Sequence, residues 1–145
     1  MGDTAQRVVA EAYEWLGTPY LHQASCKGAG TDCLGLLRGI WRAIYGEEPE
    51  LVPPYSADWS EPQGTEQLLF AAGRHLNERP KEEAALGDVI LFRMRRYSVA
   101  KHLGVQVEVG ASPKFIHAYS GQGVELSPLS APWERRIAAR FSFPN

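Results

Sequence analysis

The sequence of 145 residues lacks the features that would place it in several specialised classes of protein. It has no apolar run approaching the roughly 20 residues that a transmembrane helix needs. Its 15 basic and 17 acidic residues leave a formal charge of −2, so the positive surplus that nucleic-acid binding requires is missing. Residues 1–7 lack the basic-then-apolar pattern of a secretion signal. We therefore expect a chain made in the cytoplasm, with no membrane span and no nucleic-acid partner.

Cysteine is also scarce, because the chain contains only Cys26 and Cys33. Two cysteines are too few for a disulfide scaffold. They could form one bridge, join a metal site or act as separate thiols. A zinc site with His102 and His117 has suitable ligand types, but the six residues between the cysteines exceed the usual spacing of about two to four. We expect no metal, no cofactor and free thiols in the active protein.

The composition is typical of a globular protein, with 44% hydrophobic and 22% charged residues, and the length predicts a single domain over residues 1–145. Apolar residues at helical spacing predict helices over residues 3–16, 33–45 and 65–76. Alternating or continuously apolar runs predict strands over residues 88–92, 102–109, 114–119, 124–126 and 137–143. Residues 20–32 and the proline-rich stretch 47–64 are predicted to be loops. Helices followed by strands predict an α+β fold, with the helices packed on a mostly antiparallel sheet of about five strands.

Cys33 stands at the predicted start of the second helix, directly after Thr31 and Asp32, either of which can cap it. Free backbone N–H groups and the positive end of the helix dipole lower the pKa of a thiol at such a position. The simpler interpretation is a small buried hydrophobic residue. Gly35 and Gly39 lie four residues apart in the same helix, which indicates that another backbone packs closely against this face.

Two histidines are candidate partners of this thiol. His102 opens a strand whose other face carries valines, and Gly104 lies on the histidine side of that strand. We expect the helix of Cys33 to pack against Gly104, so that His102 can accept the thiol proton. If the strand of His117 pairs beside that of His102, the two histidines share a face and His117 can orient His102. Taken singly, His102 could be a surface residue and His117 a core residue.

Five short motifs follow one another along most of the chain. They are Gly-Thr-Pro-Tyr at 17–20, Thr-Asp-Cys-Leu-Gly-Leu at 31–36, Gly-Asp-Val-Ile-Leu-Phe at 87–92, Lys-His-Leu-Gly-Val at 101–105 and Phe-Ile-His-Ala at 115–118. In this order they resemble the motifs of the NlpC/P60 cysteine peptidases. The resemblance implies a papain-like fold, with the nucleophile, the histidine and the third catalytic residue supplied by the second, fourth and fifth motifs.

The resemblance implies a role for each candidate residue. Cys33 would be the nucleophile, His102 the general base and His117 the residue that orients it. Tyr20 matches a tyrosine that helps to form the oxyanion site beside the nucleophile. Apart from the resemblance, His22 lies close to Tyr20 in the loop before the nucleophile, where it is either a candidate for lining the cleft or a surface residue of the loop. Members of the family typically hydrolyse amide bonds of peptidoglycan stem peptides, usually between D-glutamate and diaminopimelate, through an acyl-enzyme.

Two departures from the family pattern point to one of its branches. Leu34 stands where a serine is usual, and residues 21–24 replace a common glycine pair. Together with the length of a bare domain, they resemble the enzymes of tailed phages and phage-derived gene transfer agents. This implies tail-hub or tail-tip partners and a virion component that acts in the target cell envelope. A structural tail-tip part with vestigial catalytic residues, or an amidase or acyltransferase on the same scaffold, remain the alternatives.

Other residues receive simpler interpretations. Arg93, Arg95 and Arg96 form a basic run that Lys101 extends. A solvated turn is the default, and attraction of acidic stem peptides or contact with a tail protein is the hypothesis. Trp59 is a candidate for flanking the substrate groove, although an aromatic residue in such a stretch more often pins a loop to the core.

Overall fold

The structure, a computed structural model, describes residues 3–50, 52 and 66–145. Its helices are α1 (Asp3–Glu14), α2 (Cys33–Tyr45), α3 (Gln67–His75) and α4 (Ala131–Glu134). Its strands are β1 (Ser25–Cys26), β2 (Gly30–Thr31), β3 (Asn77–Arg79), β4 (Val89–Phe92), β5 (His102–Glu108), β6 (Lys114–Tyr119), β7 (Gly123–Pro128) and β8 (Ile137–Ser142). The interpretation of Trp59 lies outside the described residues. Within these ranges, no helix has both the length and the apolar character to cross a membrane.

Six of the strands form one antiparallel sheet in the order β3-β8-β4-β5-β6-β7. β1 and β2 form a separate two-stranded hairpin within the loop predicted at 20–32. The α+β class and the antiparallel sheet are therefore confirmed, and each predicted strand is present. The sequence did not predict β3, the hairpin of β1 and β2, or α4, because segments of two to four residues are too short to show a period.

The sheet has an apolar cluster on each face, and β4 contributes to both. Val89 and Leu91 join the main core, which α1, α2 and α3 cover. Ile90 and Phe92 point the other way, into a smaller cluster that Trp133 of α4 packs against. Burial on both faces explains why β4 reads as a continuous apolar run rather than an alternating one.

Helix α2 lies on the face of the sheet that carries Leu103 and Val105, since these residues share the main core with its apolar stripe. The expected packing of α2 against Gly104 is therefore wrong. A Cβ at Gly104 would lie 2.7 Å from the ring of Phe115, so this glycine makes room for a neighbouring strand's side chain. Helix α2 instead packs on the apolar face, because burying its apolar stripe there removes the largest hydrocarbon surface from water.

The close backbone approach expected at the two glycines of α2 is present at Gly35 but not at Gly39. A Cβ at Gly35 would lie 1.9 Å from the carbonyl oxygen of Ala24, so the preceding loop runs directly against the helix backbone. At Gly39 the neighbour is the indole of Trp15 at 2.0 Å, a side chain rather than a backbone. These contacts fix the start of α2 against the loop that leads into it.

Candidate active site

Asp32 fixes the start of α2 and therefore the position of Cys33. Its backbone is extended, with φ −108°, and its Oδ1 accepts a hydrogen bond from the N–H of Gly35 at 2.8 Å. Its Oδ2 accepts a second hydrogen bond from the N–H of Gln23 at 2.7 Å. One buried carboxylate thus caps the helix and ties it to the preceding loop. Cys33 follows as the first residue of the helix.

The Cys33 thiol is 8% exposed and donates to the carbonyl oxygen of Lys101, with Sγ 3.9 Å from that oxygen. Burial, together with the negative charge of Asp32, raises the pKa of the thiol to about 12. The backbone N–H groups of Leu103, Leu34 and Cys33 act in the opposite direction without overcoming the burial. The expected lowering of this pKa by the helix start is therefore wrong for the resting site. The thiol is neutral at pH 7.

The two histidines form one hydrogen-bonded pair. β5 and β6 are neighbours in the sheet, and His102 Nε2 lies 2.8 Å from His117 Nδ1. The expectation that they share a face is confirmed. Burial, together with the proximity of His117, lowers the pKa of His102 to about 3, and burial lowers the pKa of His117 to about 4. Both imidazoles are therefore neutral at pH 7, the form in which one can accept a proton.

The polar chain continues beyond the histidines onto β7. His117 Nε2 lies 2.9 Å from Ser127 Oγ, and this hydroxyl lies 3.2 Å from Glu125 Oε2. The ring of Trp133 covers the pair, with centroids 5.2 Å from His117 and 5.8 Å from His102. The sequence did not predict that Ser127, Glu125 and Trp133 belong to the site. The period of β7 places residues 125 and 127 on one face, but no motif marks them.

Cys33 and His102 line a common cleft of about 130 Å³, together with Tyr20, His22, Asp32, Met94, Lys101, Ala118, Tyr119 and Ser120. They reach it although α2 covers the opposite face of the sheet from the histidines. His102 is the first residue of β5, so the start of α2 meets the histidine at the end of the strand. The thiol and the imidazole are thus brought together around the strand end rather than through its face.

Tyr20 and His22, the two remaining candidates, also lie at the cleft. Tyr20 forms a β-bridge with Thr31, and burial, with added effects of Cys33 and Asp32, raises the pKa of its hydroxyl to about 12. The hydroxyl therefore keeps its proton at pH 7 and can donate a hydrogen bond. His22 is exposed, and its Nδ1 lies 3.7 Å from Asp32 Oδ2.

The two cysteines occupy different environments. Cys33 is buried, whereas Cys26 is exposed in the β1–β2 hairpin, and both are free thiols. In the parts of the chain that the structure describes, no group of three or more histidine, cysteine, aspartate or glutamate side chains is arranged to hold a metal ion.

A thiol at a helix start and a buried histidine pair in one cleft define a site of the cysteine-nucleophile class. Comparison with protein families identifies the particular one, since the model of the NlpC/P60 family matches residues 13–140. The chain belongs to the NlpC/P60 family.

Three curated relatives extend this result. The chain is 30% identical over 137 residues to a probable endopeptidase NlpC homolog of Haemophilus influenzae, covering 94% of the chain and 60% of the relative. It is 28% identical over 123 residues to a probable endopeptidase of the same organism, covering 85% and 64%. It is 27% identical over 142 residues to a gamma-DL-glutamyl hydrolase of Bacillus subtilis, covering 95% and 29%. The chain thus spans less than two thirds of the length of each of these relatives.

Solved structures share the fold. The NlpC/p60 domain of the peptidoglycan hydrolase SagA is 21% identical, with a TM-score of 0.66 and coverage of 96% of this chain and 98% of that domain. An NLP/P60 family lipoprotein-like protein of Staphylococcus aureus is 21% identical with a TM-score of 0.65, and all of this chain matches 43% of it. The expected papain-like NlpC/P60 fold is therefore confirmed.

Proposed function

We propose that this chain is a cysteine endopeptidase that hydrolyses amide bonds in the stem peptides of peptidoglycan. The observation that carries the proposal is the cleft shared by the Cys33 thiol and His102, which is hydrogen-bonded to His117, in a domain of the NlpC/P60 family. The relatives support it, since two are probable endopeptidases and one structural neighbour is the NlpC/p60 domain of a peptidoglycan hydrolase. The bond between D-glutamate and diaminopimelate is the proposed target.

The chemistry follows from the resting protonation states. His102 accepts the thiol proton as Cys33 Sγ attacks the carbonyl carbon of the scissile amide. Because both groups are neutral at rest, this transfer accompanies the attack. The Tyr20 hydroxyl and the N–H of Cys33 are the proposed donors to the oxyanion, and His22 is proposed to line the substrate side of the cleft. His102 then protonates the leaving amine, and water attacks the thioester to release the acyl group and restore the thiol.

Purified sacculi digested with wild-type protein and with Cys33→Ala test this proposal. We expect wild type to release soluble fragments and Cys33→Ala to release none, because the nucleophilic sulfur is gone. Cys26→Ala is the matched control, and its exposed thiol predicts unchanged activity. Release of the same fragments by Cys33→Ala, or of none by wild type, would contradict the proposal. Mass spectrometry of the new termini separates an endopeptidase from an amidase or an acyltransferase.

We further propose that the enzyme acts from a phage-like tail and opens the target wall during DNA delivery. The resemblance of residues 31–36 and 21–24 to the branch of tailed phages and gene transfer agents supports this role. Its partners would be tail-hub or tail-tip proteins, and the single catalytic domain would travel as part of the particle. Particles carrying Cys33→Ala are expected to assemble normally but to deliver DNA poorly through intact walls. Normal delivery by such particles would favour a purely structural tail-tip role.

A further inference from the structure

Four side chains form a continuous hydrogen-bonded relay that ends at the cleft, namely His102, His117, Ser127 and Glu125. The relay crosses three neighbouring strands, since His102 lies on β5, His117 on β6 and the other two on β7. His102 and His117 are needed by the proposed chemistry. Ser127 and Glu125 are not accounted for by it.

The carboxylate at one end of the relay determines which partner donates in each of its hydrogen bonds. A carboxylate only accepts, so the Ser127 hydroxyl donates its single proton to Glu125 Oε2. Ser127 Oγ can then only accept from His117, which places a proton on His117 Nε2. His117 Nδ1 is consequently bare and accepts from His102 Nε2–H. His102 is left with a bare Nδ1.

That bare nitrogen is the one the chemistry requires. His102 Nε2 is occupied by His117, so Nδ1 is the ring nitrogen left to accept a proton from the thiol. If the relay ran in the opposite direction, His117 would donate from Nδ1 and His102 would carry its own proton on Nδ1. A neutral imidazole in that tautomer has no lone pair at Nδ1 and cannot act as a base there.

Because His117 and Ser127 are buried, the direction of these hydrogen bonds has an energetic consequence. His117 is 1% exposed, and its ring is enclosed by Phe115 at 4.3 Å and Trp133 at 5.2 Å between centroids. Ser127 is also buried. A buried N–H without an acceptor is costly, and the enclosing rings leave Ser127 Oγ as its partner. Glu125 is more accessible, so the negative end of the relay keeps contact with solvent.

We propose that Ser127 and Glu125 are positioning residues that hold His102 in the tautomer with a bare Nδ1, facing the Cys33 side of the cleft. Neither residue contacts the reacting atoms, and both act through His117. The consequence for catalysis rests on the proposed peptidase function. The assignment of the tautomer does not, because it follows from the hydrogen bonds alone.

Nuclear magnetic resonance of isotope-labelled imidazole nitrogens tests the tautomer directly at pH 7, without substrate. In wild type we expect His102 and His117 both to be protonated on Nε2 and bare on Nδ1. In Glu125→Gln the hydroxyl of Ser127 can turn to donate to His117, so a measurable fraction of His102 should shift to the Nδ1–H tautomer. Glu83→Gln, at an exposed site, is the control and should leave both rings unchanged. Finding His102 protonated on Nδ1 in wild type would overturn the proposal.

Steady-state hydrolysis of a soluble stem peptide provides the second readout. Ser127→Ala and Glu125→Gln should lower kcat by about tenfold, by analogy with the lower end of the losses found when the partner behind a metal-ligating histidine is removed, with little change in KM. Ser127→Thr keeps the hydroxyl and should restore most of kcat. Unchanged kcat in Ser127→Ala together with an unchanged His102 tautomer would overturn the proposal. If wild type cleaves no stem peptide, the proposed function fails, while the resonance measurement still decides the relay.

Discussion

Burial acts on each reactive residue of the cleft in the same direction, towards its neutral form. A charge transferred from water into a protein interior loses solvation, so the pKa of an acid rises and that of a base falls. The pKa of the Cys33 thiol accordingly rises to about 12, and the pKa of His102 falls to about 3. The resting cleft therefore holds a thiol and an imidazole rather than an ion pair. Charge separation is left to the moment of attack.

The buried histidines predict a loss of stability in mild acid. In the unfolded chain each histidine binds a proton at a pKa of about 6.5, whereas in the fold burial lowers the pKa of His117 to about 4 and that of His102 to about 3. Below pH 6.5 the unfolded state therefore binds more protons, and the free energy of unfolding falls as the pH drops. The loss is about 1.4 kcal/mol per pH unit for each histidine until the pH nears the folded pKa. Above pH 6.5 this contribution is fully present.

Denaturant unfolding at pH 6 and pH 5 measures this slope. Replacement of His117 by glutamine removes one of the two buried bases, so its slope should be about 1.4 kcal/mol per pH unit smaller than that of wild type. Gln122→Asn changes an exposed residue that does not titrate and is the control that should keep the wild-type slope. Equal slopes in wild type and His117→Gln would show that His117 is not held neutral in the fold.

Local periodicity predicts the individual helices and strands, but it does not predict how they pack on one another. The apolar stripe of α2 and the alternation of β5 are properties of single segments, and both elements are where the sequence predicted them. The apolar stripe of α2 does not show which face of the sheet it will cover, and α4, which lies over the opposite face, has only four residues and no visible period. The motifs identified His102 and His117, whereas Ser127 lies on a strand that no motif marks.

Asp32 has two separate effects at the start of α2: it stabilises the helix, and it disfavours the ionised form of the Cys33 thiol. Its carboxylate stabilises the start of α2 through the N–H of Gly35, while its charge raises the pKa of the neighbouring Cys33 thiol. Asparagine keeps one oxygen to accept from the N–H of Gly35 and removes the charge, but its NH2 group cannot accept from the N–H of Gln23 as Asp32 Oδ2 does. The two effects can therefore be separated by two substitutions at one position.

We expect Asp32→Asn to lower the pKa of the Cys33 thiol, because the adjacent negative charge is gone while a capping oxygen remains. The rate of alkylation by iodoacetamide as a function of pH measures this, in a Cys26→Ala background so that Cys33 alone reacts. Asp32→Ala removes the cap as well and should cost about 1 kcal/mol of stability. An alkylation profile in Asp32→Asn that matches wild type, or that moves to higher pH, would contradict the assigned effect of the charge.

Across the whole molecule, the net charge of −2 conceals an uneven distribution. A groove of about 700 Å³ collects six of the 15 basic residues, namely Lys81, Arg93, Arg95, Arg96, Arg135 and Arg136. The described side chains that line this basic groove include no carboxylate, although Arg93 forms an ion pair with Glu66 beside it. Met94 lines both the basic groove and the cleft of Cys33, so the two are adjacent. The basic run predicted from the sequence thus contributes to a larger basic surface beside the cleft.

Because positive potential raises the local concentration of an anionic ligand, the basic groove is expected to favour acidic stem peptides over neutral ones. Arg96→Glu and Arg135→Glu should each lower kcat/KM for an acidic stem peptide by about threefold at low salt, chiefly through KM, and the difference should shrink at high salt as charges are screened. Arg7→Glu makes the same change of charge on the exposed face of α1 and should have no such effect. A peptide with amidated carboxylates should be cleaved equally by all four proteins. If the groove variants lost the same factor on the amidated peptide, or if salt left the difference unchanged, the effect would not be electrostatic attraction of the substrate.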